Sequence, residues 1–554
     1  MAAQLDVYIP MRDGTGIAAD VYRPESARRG PAVLIRTPYI KTLQPGPTRV
    51  STWAMFGADG RPPAVMTGLR AATEQLMERS IAALLEAGYA VVVSDSRGTG
   101  YAEGIYDYYN TEGGPLDGYD TVEWIAEQPW CDGSVGLWGL SGSAVLAYAA
   151  ALTAPPHLKA VAAYMCPADF YLDQWFPGGM FRYEDRLRWP MLMQDCTAPL
   201  DPGPADGPAY ERKRQVFEDR YYRHYERMTR GLSPVSLDWA TECLSHDSYD
   251  AFWQARSFAR RLGQVTAPVL NVGVLHDHFI RGTMRFHEGL SVPRRLVLVP
   301  GALDLDASAG DGGLAALQLR WFDYFLRGTE NGVLDEPGVR YYLTGAQQWT
   351  DQPGWPDTEE VPLFLAGSAG AADAAGGGLG GGALVFDPPG RAGAQVPTHD
   401  PAAPNRTPGN PGDQRPFGAR ALTFTTAPLE RDLTVAGLPR LTLSAAPGAA
   451  DVDFCVRLSD VYPDGSAHLL NVGALKGRHA RSHEQPADLE PGETREFDIE
   501  ILTVTNVFRR GHSIRVDVAG SDFPFYAPNP VKAQTEVFHG GDRPSRLTLP
   551  VVGA

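Results

Sequence analysis

The stretch WIAEQPWCDGSVGLWGLSGS, residues Trp124–Ser143, decides the fold. Its centre, VGLW (Val135–Trp138), is a short apolar run of the kind found in strands buried on both faces. It leads into Gly139-Leu140-Ser141-Gly142-Ser143, and Ser143–Leu152 (SAVLAYAAAL) then reads as a helix. Strand, tight serine-bearing turn and helix together form the context of a nucleophile elbow. The turn lifts the hydroxyl above the sheet edge, and the next backbone N–H points at the position of a developing oxyanion. The last glycine of the usual G-x-S-x-G is Ser143 here, so the pentapeptide alone leaves a non-catalytic turn open.

The rest of the chain extends this pattern. Ala32–Arg36 (AVLIR) and Ala90–Ser94 (AVVVS) read as further buried strands, and Asp120–Gln128 reads as a helix. Alternation of this kind predicts a parallel sheet covered on both faces over residues 1–165. From 166 to 262 the composition shifts to Tyr, Arg, Glu and Trp at helical spacing, as in DRYYRHYERM, which predicts a helical cap inserted into the α/β domain. The α/β pattern returns over 263–330, with Pro268–Val274 (PVLNVGV), Arg295–Val299 (RLVLV) and a helix at Leu314–Leu326. Over 331–554, polar and apolar residues alternate between Pro, Gly and Asp turns, which predicts an antiparallel sandwich. The Gly/Ala-rich stretch Ala366–Ala383 reads as a flexible loop within it.

Composition narrows the function classes. The 554 residues carry 49 Lys+Arg against 66 Asp+Glu, a net charge of −17, which argues against a nucleic-acid or anionic-membrane partner. A hydrophobic fraction of 44% with 21% charged residues excludes global disorder. The five cysteines are widely spaced with no CxxC, which fits neither a disulfide framework nor a zinc site. No signal-like apolar core opens the sequence and no run reaches the ~18 apolar residues of a membrane helix, so a cytoplasmic setting is expected. No dinucleotide or phosphate-loop motif is present, and no cofactor or metal is expected. The partner expected is a small-molecule substrate, and a homodimer is compatible with the sequence.

Several long segments resemble the cocaine esterase and X-prolyl dipeptidyl aminopeptidase-like hydrolases, which include the α-amino acid ester hydrolases. These are MRDGTGIAADVYRP with TPY (Thr37–Tyr39), Tyr89–Gly104 (YAVVVSDSRGTGYAEG), Trp124–Gly142, DVDFCVRLSDVYPDG and TNVFRRGHSIRVDVAGSDFP. The resemblance implies an α/β-hydrolase domain with an inserted helical cap and a C-terminal all-β jelly-roll sandwich. It implies acyl transfer through a Ser-His-Asp triad, with Ser141 as nucleophile and Asp277, in LHDHF, as the acid. Tyr39 and the Gly142 N–H would form the oxyanion hole, and Trp175 and Phe279 would line the acyl pocket.

The sequence departs from the family at the triad histidine. The family carries it just after the strand equivalent to RLVLV, but this chain reads Val299-Pro-Gly-Ala-Leu-Asp304, with no histidine between residues 288 and 398. A serine hydroxyl without an adjacent base is a weak nucleophile. His276 and His278 flank the acid; in an extended segment both would lie opposite Asp277. They are the candidate displaced bases, with His287 and His246 weaker candidates and Asp304 or Asp306 as carboxylate alternatives. The residue after the nucleophile, commonly Tyr in the family, is Gly142, which would widen the space beside the serine. Leu43–Gly68, longer than the family usually carries, could form a lid. Aromatic residues of the cap suggest an apolar acyl group, and Arg182, Arg186 and Arg188 either meet a carboxylate or form a solvated helix face.

Two function classes follow. One is an acyl-transfer enzyme or hydrolase acting on an ester, amide or thioester through Ser141 with a displaced base. The other is a repurposed hydrolase fold that cyclises, isomerises or eliminates, with a non-catalytic binding protein as a weaker form. The Ala/Gly/Arg/Pro-rich composition resembles proteins of high-GC actinobacteria, where remodelled hydrolases serve specialised metabolism.

Overall fold

The computed structural model describes the chain except residues 1, 26–28, 42–75, 111–113, 232–237, 302–311, 368–379, 391–392, 396, 409–411, 543 and 554. The Leu43–Gly68 segment, Asp304 and Asp306 therefore lie outside the described residues. The chain divides into two compact units: Met1–Ala168 with Leu187–Ser245 and Arg256–Val339, and Asp169–Arg186 with His246–Ala255 and Arg340–Ala554. The cap stretch 166–262 is thus not one body. Two short pieces of it belong with the sandwich and the remainder with the α/β sheet.

Eight described strands of the first unit lie in one sheet: β1 (Ala2–Pro10), β2 (Gly16–Arg23), β3 (Gly30–Thr37), β4 (Ala90–Asp95), β5 (Cys131–Leu140), β6 (Leu158–Tyr164), β7 (Val269–Val274) and β8 (Arg294–Val299). Their order is β1-β2-β4-β3-β5-β6-β7-β8. From β4 to β8 all neighbours are parallel, as AVLIR, AVVVS and VGLW predict. The expectation of a wholly parallel sheet is corrected at one edge, where β1, β2 and β4 pair antiparallel. The sequence reading also passed over β6, whose LKAVAAY pairs Trp138 with Ala162 and Gly139 with Ala163.

Helices cover the sheet: α1 (residues 76–86), α2 (Gly114–Ala126) and α3 (Gly142–Ala151). Every residue of α3 is buried, which its sequence GSAVLAYAAA permits because the small side chains let neighbouring elements close in on all sides. In the cap, α4 (Tyr183–Thr197), α5 (Tyr210–Thr229), α6 (Asp238–Ser245) and α7 (Ala251–Arg256) follow. Arg220 of α5 is buried and donates to the carbonyls of Gly100 and Ala102 at 2.6 and 2.7 Å. These charge-assisted bonds hold α5 against the loop after β4. Then come α8 (Ile280–Gly289) and α9 (Gly313–Arg327), which ends on left-handed Gly328 as its Arg-Gly terminus predicts.

His287 of α8 is 8% exposed, and burial, with Arg294 nearby, lowers it to about 4. A histidine depressed in the folded state is neutral there, while the unfolded chain takes up its proton near 6.5. Its contribution is therefore present above about pH 6.5 and lost as pH falls towards 4. The stability advantage of the wild type over His287→Gln is expected to shrink by on the order of 2–3 kcal/mol across that window. Chemical denaturation of both proteins at pH 7 and pH 4.5 checks it; a constant difference contradicts it.

In the second unit, Asp453–Val461 pairs antiparallel with Ala467–Lys476 and Ser513–Ala519, and Thr358–Gly367 with Arg546–Val552. Among the described residues Gly380–Val385 pairs parallel with Leu422–Thr425, a departure from the antiparallel expectation. Arg546–Val552 buries every second residue, the signature of a sheet with one face on a core. That core gathers Leu443, Phe454, Phe497, Val516 and Leu549 among others. The ends of the Gly/Ala-rich stretch, Ala366–Gly367 and Gly380–Ala383, are paired strand residues, and 368–379 lie outside the described residues. All five cysteines are buried, and none is in a disulfide. Among the described residues no helix is long and apolar enough to cross a membrane.

Candidate active site

The elbow forms where the sequence places it. Ser141 sits between β5 and α3 with φ 55° and ψ −120°, a conformation that costs an L-residue energy and persists only where the surroundings enforce it. They do so here through Ser141 N, which donates to Tyr164 O at 2.8 Å, and Ser141 O, which accepts from Val145 N at 3.1 Å. A serine at a helix N-cap ordinarily uses its hydroxyl to cap the first turn. Ser141 makes no such bond, so its Oγ remains available for chemistry. Glycine is required at 139, where a Cβ would lie 2.2 Å from Ser143 O.

Tyr39 lies against this turn. A Cβ at Gly142 would be 2.8 Å from Tyr39 Oη and 2.9 Å from Pro38 Cγ. The expectation that glycine widens the space beside the serine is therefore corrected: Tyr39 and Pro38 close on that space. Gly142 opens α3, and the first N–H groups of a helix have no intrahelical acceptor. A phenolic O–H and a helix-terminal N–H thus sit side by side next to Ser141, an arrangement suited to an oxyanion.

Further contacts fix Tyr39. Its backbone N donates to Thr37 Oγ1 at 3.1 Å, and Thr37 O accepts from Ser96 N at 2.8 Å. Two residues on, Lys41 N donates to the buried Asp95 carboxylate at 2.6 Å, and Lys41 Nζ pairs with Asp6 and Asp20. Burial pushes Asp95 up to about 7, with the Lys41 charge working in the other direction. From the cap, Trp189 Nε1 donates to Tyr39 Oη at 3.4 Å. That bond occupies an acceptor position on the phenol. Trp189 is held by stacking on Tyr109 at 5.2 Å and by an edge contact with Trp239 at 5.3 Å. Trp189 is one of the cap aromatics, and the sequence does not mark it as a partner of Tyr39. The two partners are 150 residues apart, and no local signal links them.

The acid lies at the same edge of the sheet. Register aligns Leu140 with Tyr164 and Tyr164 with Val272, so Ser141 and the segment after β7 leave the carboxyl ends of the two strands that flank β6. That segment is a turn. Asp277 N donates to Val274 O at 3.1 Å, and Asp277 Oδ2 accepts from Phe279 N at 3.1 Å. Asp277 Oδ1 meets His278 Nδ1 at 3.1 Å. The expectation of two histidines on the face opposite Asp277 is corrected here, because β7 ends at Val274 and the chain turns rather than extends. His278 comes to the acid, while His276 is exposed on the turn. Phe279 is buried, with its ring centroid 3.8 Å from that of His278.

Among the described residues no hydrogen bond joins Ser141 Oγ to an imidazole or a carboxylate, so the structure brings Ser141, Gly142 and Tyr39 together and, separately, Asp277, His278 and Phe279. His287 is enclosed in α8. In the second unit, His246 pairs with Asp250 at 2.5 Å, and Trp175 is wholly buried 6.1 Å from Trp253. Among the described residues no three metal-ligating side chains gather.

Comparison with known proteins completes this picture. The profile of the X-Pro dipeptidyl-peptidase (S15 family) matches residues 13–302, and that of the X-Pro dipeptidyl-peptidase C-terminal non-catalytic domain matches 331–548. The cocaine esterase of Rhodococcus sp. (strain MB1 Bresler) is 30% identical, with 99% of this chain and 98% of that one aligned. Two solved structures share the fold. An aminopeptidase from the marine sediment archaeon Thaumarchaeota archaeon has a TM-score of 0.76 at 23% identity, covering 100% of this chain and 96% of that one. A CocE/NonD family hydrolase from Staphylococcus aureus has a TM-score of 0.74 at 19% identity, covering 99% and 94%.

Proposed function

Because the chain belongs to the S15 family of X-Pro dipeptidyl-peptidases and their esterase relatives, we propose that it is a serine enzyme transferring the acyl group of an ester, amide or thioester through Ser141. The observation that carries this reading is the elbow itself: a strained, uncapped Ser141 with Tyr39 and the start of α3 beside it. In the reaction, Ser141 Oγ attacks the carbonyl carbon. The charge that develops on oxygen is met by the Tyr39 O–H and the Gly142 N–H.

The proton of Ser141 goes, in this reading, to His278, which returns it to the departing alcohol, amine or thiol as the tetrahedral intermediate collapses. Water or another nucleophile then takes the acyl group from Ser141. His278 Nδ1 faces Asp277 Oδ1, which makes Nε2 the basic nitrogen and lets the carboxylate stabilise the imidazolium that forms. Catalytic hydrogen bonds are often long in the unliganded state, so the pair engages Ser141 when substrate is bound. Labelling by a fluorophosphonate tests this assignment. His278→Ala is expected to slow Ser141 labelling by about 10²–10⁴-fold, and His276→Ala to leave it unchanged. Equal rates in wild type and His278→Ala would remove His278 from the mechanism.

Among the described residues no imidazole bonds to Ser141 Oγ, whereas Tyr39 and Gly142 are in place, and this favours a second reading, in which the oxyanion site polarises a bound carbonyl for cyclisation, isomerisation or elimination. Undiminished activity of Ser141→Ala on the physiological substrate would select it.

A further inference from the structure

Arg182 precedes α4 in the second unit and is 4% exposed. It does not lie on a solvated helix face. Its backbone is fixed, with Arg182 N donating to Trp175 O at 3.0 Å. On either side, Ala527 N donates to Phe181 O and Glu184 N to Pro524 O, each at 3.0 Å. Its guanidinium carbon lies 4.4 Å from the Phe525 ring centroid, and its enclosed Nε has no hydrogen-bond partner. Among the described residues no carboxylate pairs with it. Asp185 is engaged by Arg186 at 2.6 Å, and Asp522, in the loop that carries Phe525, by Arg457 and Thr407. The positive end of the 15-residue α4 adds to the same charge.

An enclosed guanidinium edge unpaired by any carboxylate among the described residues is a ready partner for an anion that arrives from outside. The surroundings say which anion. Phe523 and Phe525 are only partly buried, Phe523 meets Tyr183 at 5.5 Å, and Phe181 stacks on Trp175 at 6.2 Å. One planar fork among aromatic rings matches a single carboxylate on an apolar body and offers too few donors for a phosphate dianion. We propose that Arg182, with Phe525 beneath it, forms a binding site for an aryl or alkyl carboxylate. The site is read by binding alone, so it stands or falls independently of Ser141.

Calorimetry on the full chain with 3-phenylpropionate, its neutral amide and inorganic phosphate tests this. The carboxylate is expected to bind saturably and at least ~10-fold tighter than the amide, with phosphate failing to displace it. In Arg182→Met that preference disappears, and the ligand-free variant melts at or above the wild-type temperature because an unpaired buried charge has been removed. Arg182→Lys retains part of the preference. Equal affinity for acid and amide, displacement by phosphate, or an unchanged preference in Arg182→Met overturns the site. A lowered melting temperature in Arg182→Met does so too, since it would mark a structural cation.

Discussion

Replacing Ser141 with alanine is expected to lower turnover of any acyl substrate by about three to six orders of magnitude, leaving at most the ~10³–10⁴-fold advantage over water that binding and an oxyanion site supply alone. The substitution should cost little stability. Ser141 Oγ caps no helix, and alanine replaces only a hydroxyl at a backbone position already enforced by Tyr164 and Val145. A melting curve within a degree or two of wild type, together with the collapse in kcat, would assign the loss to chemistry. A folded Ser141→Ala enzyme with full kcat would place the reaction outside acyl transfer.

The second large effect is at Tyr39. Tyr39→Phe deletes the hydroxyl that closes on Gly142 and accepts from Trp189, while the ring stays in place. Loss of one oxyanion donor costs about 10²–10³ in kcat, or roughly 2.7–4 kcal/mol of transition-state stabilisation. KM should change little, because the ground-state carbonyl needs that donor less than the oxyanion does. A rise in KM with kcat preserved would show instead that Tyr39 binds substrate without stabilising the transition state.

How much of this was legible in the sequence follows from how local each signal is. The run VGLW-GLSGS announced strand, elbow and helix because all three lie within one contiguous stretch, Cys131–Ala151. The β1–β2 edge was missed because β1 is a partly exposed edge strand and because Asp20 interrupts the apolar run of the buried β2, whereas β3, β4 and β5 carry continuous runs. His276 and His278 were placed on one face by assuming an extended segment. Whether a strand ends at Val274 or two residues later depends on its pairing with β8, which local sequence does not show. The Trp189–Tyr39 bond and the bare Arg182 are properties of tertiary packing. A buried arginine and an exposed one look the same in a string of letters, and the cluster of Arg182, Arg186 and Arg188 could not be sorted until Arg182 and Arg186 were seen enclosed. The departure from the family at Val299–Asp304 was legible because absence of histidine is a fact of sequence alone.

The central claim is that Ser141 carries the acyl group. Intact-mass spectrometry of the protein mixed with an activated ester, followed by peptide mapping, tests it most directly. One acyl group per chain is expected, located on Ser141, formed more slowly in His278→Ala and absent in Ser141→Ala. Steady turnover of the ester with no adduct at Ser141, or an adduct that survives Ser141→Ala, would contradict it.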